Sequence, residues 1–339
     1  MTRGLEQSPT AMDSPEPKHD TTQSSRGGIT WLCAAAGALL LTWQAVTMCR
    51  WIVRGHAEAI TRYRDPEAIS AIGARIFEVG FFTSTVVLTV IIARNAFRER
   101  RFTLDAMIAL ALLSASWLDP AFAFYKQIFL YSSQLINLRA WCGDMPGVLN
   151  PECGHMPEPL VVPLMYVNTL LGAMFIGWVI ERLRPRMAHW TIWHTLLTTA
   201  LIGSALDFAW EVLAINLDLW KYASFPDALA VPGLRGADRF PLTALFTCFA
   251  MSASVVVLRT HRDGIAKSFL PCGKKRRKAS WVLTFVAVVG YIQAAVLISF
   301  APAMLSAPYA GPWARYPAHI VNGMCDNNTT SSTPYPCPD

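Results

Sequence analysis

In a chain of 339 residues, 53% of the side chains are hydrophobic and only 15% are charged, and the mean hydropathy is +0.33. Soluble domains carry charge on about a quarter of their residues, so this composition excludes an ordinary water-soluble enzyme and predicts an all-α integral membrane protein. The net charge of +6 implies no nucleic-acid partner, because much of it sits in the run Lys274 to Lys278, a basic loop of the kind that sets membrane topology.

Residues 1–30 are rich in Ser, Thr, Pro and charge with nothing to bury, which predicts a disordered cytoplasmic tail. Seven apolar stretches follow: Trp31–Val53, Ile72–Ala93, Phe102–Leu118, Leu160–Ile180, Trp190–Leu217, Pro241–Leu258 and Trp281–Ala303. Each is long enough to serve as a helix across hydrocarbon of ~30 Å, the third and sixth being the shortest. They predict a seven-helix membrane domain over residues 31–303 and an extracytoplasmic segment over 304–339. The connections on one side hold fifteen Lys and Arg, those on the other nine. The excess places the N-terminus in the cytoplasm and the C-terminus outside, in a multi-pass protein expected in a bacterial cytoplasmic membrane among lipid partners.

The eight cysteines divide by position. Cys33, Cys49 and Cys248 lie in apolar stretches, where a free thiol behaves as a small hydrophobe, and Cys272 sits in the cytoplasmic basic loop. Cys142 with Cys153, and Cys325 with Cys337, fall in segments that the charge rule puts outside, and are candidates for disulfides on an oxidising side. Connectivity stays open, and neither pair has the spacing of a structural zinc site, so no metal is expected.

The chemistry lies in the acids. Charge at bilayer depth costs ~2.5–3.5 kcal/mol or more, yet Glu78, Asp119, Glu158, Asp207 and Glu211 all sit in or beside apolar stretches, toward one face of the membrane. Asp207 and Glu211 are four apart, so a helix stacks them on one face. Two carboxylates sharing a low-dielectric surface repel, and the pair is expected to share a proton, a neutral acid beside a carboxylate.

Asp119, in Trp117-Leu118-Asp119-Pro120, marks a proline-punctuated helix exit at the mouth of the bundle. Glu158-Pro159 opens the fourth stretch. Glu78 follows Arg75 by three residues: either the two form a plain ion pair, or Arg75 orients Glu78 toward a cavity shared with Asp207 and Glu211. Aromatic and amide groups crowd the outer loops. Most fit an interfacial belt, but Trp220-Lys221-Tyr222 with Asn137 and Trp141 form a candidate lid, since aromatic faces stabilise cations. No G-x-S-x-G, P-loop, H-E-x-x-H or dinucleotide fingerprint is present, and no cofactor is implied.

In order, Trp117 to Pro120, Tyr131 through Asn137 and Trp141, Pro146-Gly147, Glu158-Pro159, Asp207 with Glu211, Trp220 to Tyr222, Phe240-Pro241, and His319 to Gly323 with Cys325 and Cys337 resemble the spirocyclase AveC family, its AveC and MeiC branch of macrolide biosynthesis included. One departure is Asp218, where the family pattern has Gly. The resemblance implies a spiroketal cyclase: an apolar polyketide macrolactone bearing a dihydroxyketone closes to a 6,6-spiroketal with loss of water, followed in some members by a dehydration.

Asp207 and Glu211 are then the expected acid/base pair, Glu78 and Asp119 supporting donors, and Glu158, Asn137, Trp141, Trp117, Tyr131, Trp220, Tyr222 and Arg75 the expected substrate-binding residues. Two other readings use the same acids: an integral-membrane terpene cyclase, and a non-catalytic proton-coupled transporter or receptor. Relay acids of the latter would spread across the bilayer, whereas these gather in one half. The oligomeric state is open.

Overall fold

Uninterrupted apolar runs become helices here because only a helix satisfies every backbone N–H and C=O within its own segment. The structure is a computed structural model that describes residues 22–60, 68–187, 189–234, 236–260, 277–311, 314 and 316–321. Seven long helices follow in order: α1 Thr22–Val53, α2 Ala68–Glu99, α3 Leu104–Ala115, α4 Val162–Leu183, α5 Ile192–Asn216, α6 Leu242–Thr260 and α7 Arg277–Ser306. Seven spans, with the third extended to Ala123, are long and apolar enough to cross a membrane, as the sequence predicts.

Most helix ends shift by a few residues from expectation, and two boundaries change the picture. α1 begins at Thr22, inside the stretch read as tail. The third span is α-helical only to Ala115 and then tightens into 3₁₀ turns at Ser116–Leu118 and Pro120–Ala123, because Pro120 offers no N–H to continue the ladder.

Local signals fix the ends. The Thr103 hydroxyl accepts from Ala106 N–H at 3.3 Å to cap α3, and a reciprocal Thr191–His194 box caps α5. α7 lies centrally, against α1, α3 and α6, while α5 packs on α6 and α4 on α3 and α6. α1 and α7 cross at Gly37 and Gly290, where a Cβ on Gly290 would stand 1.9 Å from the Cys33 carbonyl oxygen. Small residues at a crossing let membrane helices approach to backbone contact. A polar chain joins three helices, with Gln293 donating to Ser114 and Ser114 to Gln44, each at 3.0 Å. At the other end of α3, Asp105 takes Arg259 of α6 at 2.8 Å.

The mostly helical fold carries, at one end of the bundle, a cap in which residues 54–60, 119–161, 217–234, 236–241, 307–311, 314 and 316–321 mesh and hold four short strands. β1 Phe129–Tyr131 pairs antiparallel with β4 Trp220–Tyr222, placing Tyr131 opposite Trp220. β2 Asn137–Arg139 pairs with β3 Pro157–Pro159, placing Leu138 opposite Glu158. The prolines flanking Glu158 bar a helix and favour extended backbone.

Ion pairs tie the cap down. Asp144 takes Arg54 at 2.9 Å and His56 at 2.8 Å, and buried Lys221 pairs with Asp218 and Asp238. Cys142 and Cys153 are disulfide-bonded, with Cα atoms 5.9 Å apart. Cys325 and Cys337 lie outside the described residues.

Candidate active site

A cavity of about 270 Å³ lies beneath this cap, walled by α2, α4, α5, α6 and α7. From α5 it receives Gly203, Leu206, Asp207, Trp210 and Glu211, a single face at i, i+3, i+4, i+7 and i+8. The α4 wall is Met165, Thr169, Gly172 and Ile176, and the α6 wall includes Thr243, Thr247 and Met251. Both are helical stripes of small or flexible side chains that leave room between the helices. Leu206, at 51% exposure, is also on the outer surface of the bundle, so one wall of the cavity borders the lipid-facing side.

Three acids meet in this space. Asp207 and Glu211 share the α5 face, and Asp119 enters from the 3₁₀ exit of α3 on another wall. The indole Nε1 of Trp220 donates to Glu211 Oε2 at 2.7 Å, and the Tyr222 hydroxyl also bonds to Glu211. Asp207 meets the Cys248 thiol, and its Oδ2 is buried without a hydrogen-bond partner. Asp119 accepts from Tyr131 at 2.7 Å and from Tyr166 at 3.3 Å. Burial pushes the phenols of Tyr131 and Tyr222 well above the ordinary tyrosine range, with neighbouring carboxylates adding to it, so both remain proton donors at neutral pH.

The β1–β4 ladder is the lid, carrying Phe129, Tyr131, Trp220 and Tyr222 into the cavity. Trp210 continues the aromatic wall, stacked on Phe77 at 4.4 Å between centroids and edge-on to Phe81 at 4.9 Å.

The structure brings together Asp207, Glu211, Asp119, Tyr131, Trp220 and Tyr222 from the sequence reading, and puts Glu158 in a small adjoining void. It places the others elsewhere. Arg75 pairs with Glu78 and donates to the Gln134 carbonyl, while Glu78 accepts the Ile136 N–H. Glu78 therefore ties α2 to the cap, and neither it nor Arg75, read as a donor and a substrate ligand, lines the cavity. Asn137 serves the cap backbone, bonding to the Ser133 and Leu135 carbonyls and to the Ile60 N–H. Trp141 donates to the Trp117 carbonyl at 2.8 Å and packs on Trp51, and Trp117 packs on Trp43. None of these three lines the cavity, whose aromatic roof comes from the two strands without Asn137 and Trp141. Tyr166, Trp210 and Cys248 are cavity residues that the sequence reading passed over.

Seven apolar spans enclosing a carboxyl-lined cavity under an aromatic roof define a multi-pass membrane protein. Among the described residues, no His, Cys, Asp and Glu grouping suited to a metal ion occurs. The chain belongs to the spirocyclase AveC-like family, whose model matches residues 99–317, a stretch that contains the whole α4 and α5 wall, the lid and every acid in the cavity. It is thus a cyclase with a spirocyclase role in polyketide biosynthesis. No curated protein and no solved structure matches the chain.

Proposed function

We propose that the cavity closes a dihydroxyketone segment of a polyketide macrolactone into a 6,6-spiroketal, with Asp207 and Glu211 as the acid/base pair. Attack of the first hydroxyl on the ketone gives a hemiketal. The protonated member of the pair gives its proton to the hemiketal hydroxyl, the C–O bond breaks, and water leaves an oxocarbenium ion. The second hydroxyl attacks that carbon while the carboxylate member takes its proton, so substrate becomes spiroketal plus one water. Proton transfer within the i, i+4 pair restores the starting state. Positioned proton transfer of this kind contributes ~10²–10⁴ in rate.

The observation that carries the reading is the placement of Asp207 and Glu211 on one wall and Asp119 on another of a single cavity roofed by Trp220, Tyr222 and Tyr131. Carboxylates and aromatic faces around the reacting carbon stabilise a cation as it forms. A volume of about 270 Å³ is below the ~300–1,000 Å³ of most ligand pockets. It suits the folded spiroketal-forming segment, the rest of the macrolactone lying against the bundle near Leu206. We place the lid on the extracytoplasmic side of a bacterial cytoplasmic membrane. Supporting this are the basic residues of the opposite connections and the Cys142–Cys153 disulfide in the cap.

The test is incubation of membranes carrying wild type, Asp207→Asn or Glu211→Gln with a dihydroxyketone precursor. Stereoselective closure is expected to fall to the spontaneous product ratio in both variants at unchanged protein level. An unaltered ratio in both would remove the pair from the mechanism.

A further inference from the structure

Behind the wall that Asp119 forms lies a second, smaller void of about 10 Å³, lined by Asp119, Gln127, Tyr131 and Glu158 and by the disulfide-bonded Cys142 and Cys153. That is room for about one water. Asp119 and Tyr131 line both the void and the main cavity, so the two compartments share a wall of titratable groups.

The two carboxyls across this void are unlike in their surroundings. Asp119 accepts hydroxyl hydrogens from Tyr131 of β1 and Tyr166 of α4, two donors that favour a carboxylate. Glu158 is 3% exposed, and its Oε1 is buried with no hydrogen-bond partner, held in place by prolines on either side. Burial pushes its carboxyl well above the usual carboxylate range, and the Asp119 charge adds to the effect. Among the described residues no cation pairs with either acid, the ion pairs of the cap engaging Asp144, Asp218, Asp227 and Asp238 instead. Ionising both would place two charges without a cation in a space that admits about one water, which Coulomb repulsion and desolvation both oppose.

We propose that Glu158 and Asp119 form a second, buried carboxyl pair that holds a single proton on Glu158, keeping Asp119 an anion at the cavity wall. Glu158 touches no substrate; it is a positioning residue that acts through Asp119. The pair would set a fixed negative charge opposite Asp207 and Glu211, where a cation forms in the reaction proposed above. That consequence rests on the spirocyclase mechanism, but the protonation arrangement does not.

Infrared spectroscopy of the purified protein tests it without substrate. In an Asp207→Asn, Glu211→Gln background at neutral pH, the carbonyl stretch of a protonated carboxylic acid is expected. Glu158→Gln should abolish it, whereas Asp119→Asn should leave it, shifted in frequency. Should Glu158→Gln fail to fold, as judged by disulfide content and thermal unfolding, ¹³C-glutamate labelling of the same background must displace the band. A spectrum with no such band, or one that neither Glu158→Gln nor glutamate labelling alters, overturns the proposal. Loss of cyclisation with the band intact would instead count against the catalytic reading alone.

Discussion

Trp220 and Glu211, nine residues apart across the turn from α5 into β4, are joined by a 2.7 Å hydrogen bond from the indole nitrogen to the carboxyl oxygen. A strand of the lid therefore fixes the rotamer of an acid on the cavity wall, so closing the cavity and aiming the acid are one structural event. Trp220→Phe keeps most of the ring contact with Trp210 and Phe77 and removes only the donor. Hydrogen bonds to charged groups contribute ~1.5–3 kcal/mol, so cyclisation is expected to slow by roughly ten- to hundredfold. Thermal stability should change little. Initial rates of spiroketal formation in membranes, set beside an unfolding curve, check both parts, and a variant as fast as wild type would show that the contact does not aim Glu211.

The same lid contains a residue in an unusual backbone conformation. Asp218 has φ +53°, in the left-handed region that glycine occupies freely and aspartate more readily than most residues. Its carboxylate pairs with buried Lys221, which compensates for the strain. Asp218→Gly is expected to fold with a stability within about 1 kcal/mol of wild type, since glycine relieves the backbone while Lys221 keeps Asp238 and the Ile215 carbonyl. Asp218→Val, β-branched at a positive φ, should cost about 1–3 kcal/mol. Thermal unfolding of the two variants in detergent gives the comparison, and equal midpoints would deny a backbone constraint there.

Glu158 gives a pH dependence with a definite sign. Its carboxyl keeps a proton in the folded protein to higher pH than in the unfolded chain, where glutamate ionises near ~4.3, because burial and then the Asp119 charge disfavour ionisation. Between the two values the folded state binds the extra proton, so stability falls as pH rises. The contribution is complete below the unfolded value and lost as pH climbs through the raised one. Glu158→Gln should remove this decline, leaving a variant that gains on wild type as pH increases. Unfolding midpoints over a pH series measure it; parallel curves for the two proteins would contradict it.

The spans were legible because bilayer physics leaves so few alternatives: a run such as Trp281–Ala303 can only be a helix. The Asp207–Glu211 face was legible because i, i+4 spacing survives any packing. The cap was not. Glu78 and Arg75 looked like cavity groups at the sequence level because helix periodicity says which face a residue shares, not what loop lies over it. Here residues 134–136 of the cap take both side chains. Tyr166 and Cys248 were invisible for the converse reason, each being one more apolar-looking residue until Asp119 and Asp207 are placed against it. A partial signal did exist in the stripes of small or flexible residues Met165, Thr169, Gly172 on α4 and Thr243, Thr247 on α6, which mark helix faces that pack against space rather than against each other.

The crossing of α1 and α7 offers the sharpest structural test. A Cβ built on Gly290 would lie 1.9 Å from the Cys33 carbonyl oxygen and 2.5 Å from the Gly37 nitrogen, both rigid backbone atoms. Neither can turn aside as a side chain would, so Gly290→Ala must force the helices apart. Separation would loosen the neighbouring contacts of α7 with α3 and α6, among them the Gln293–Ser114 hydrogen bond. Overpacking in a close-packed interior costs ~1–3 kcal/mol and more when backbone must move. Gly80, on α2 with nothing within 4 Å of its Cβ position, provides the control, since alanine there should be neutral or slightly stabilising through helix propensity. Gly290→Ala is therefore expected to lower the unfolding midpoint and the yield of folded protein from membranes while Gly80→Ala matches wild type. If the two variants behave alike, α1 and α7 do not meet at backbone distance.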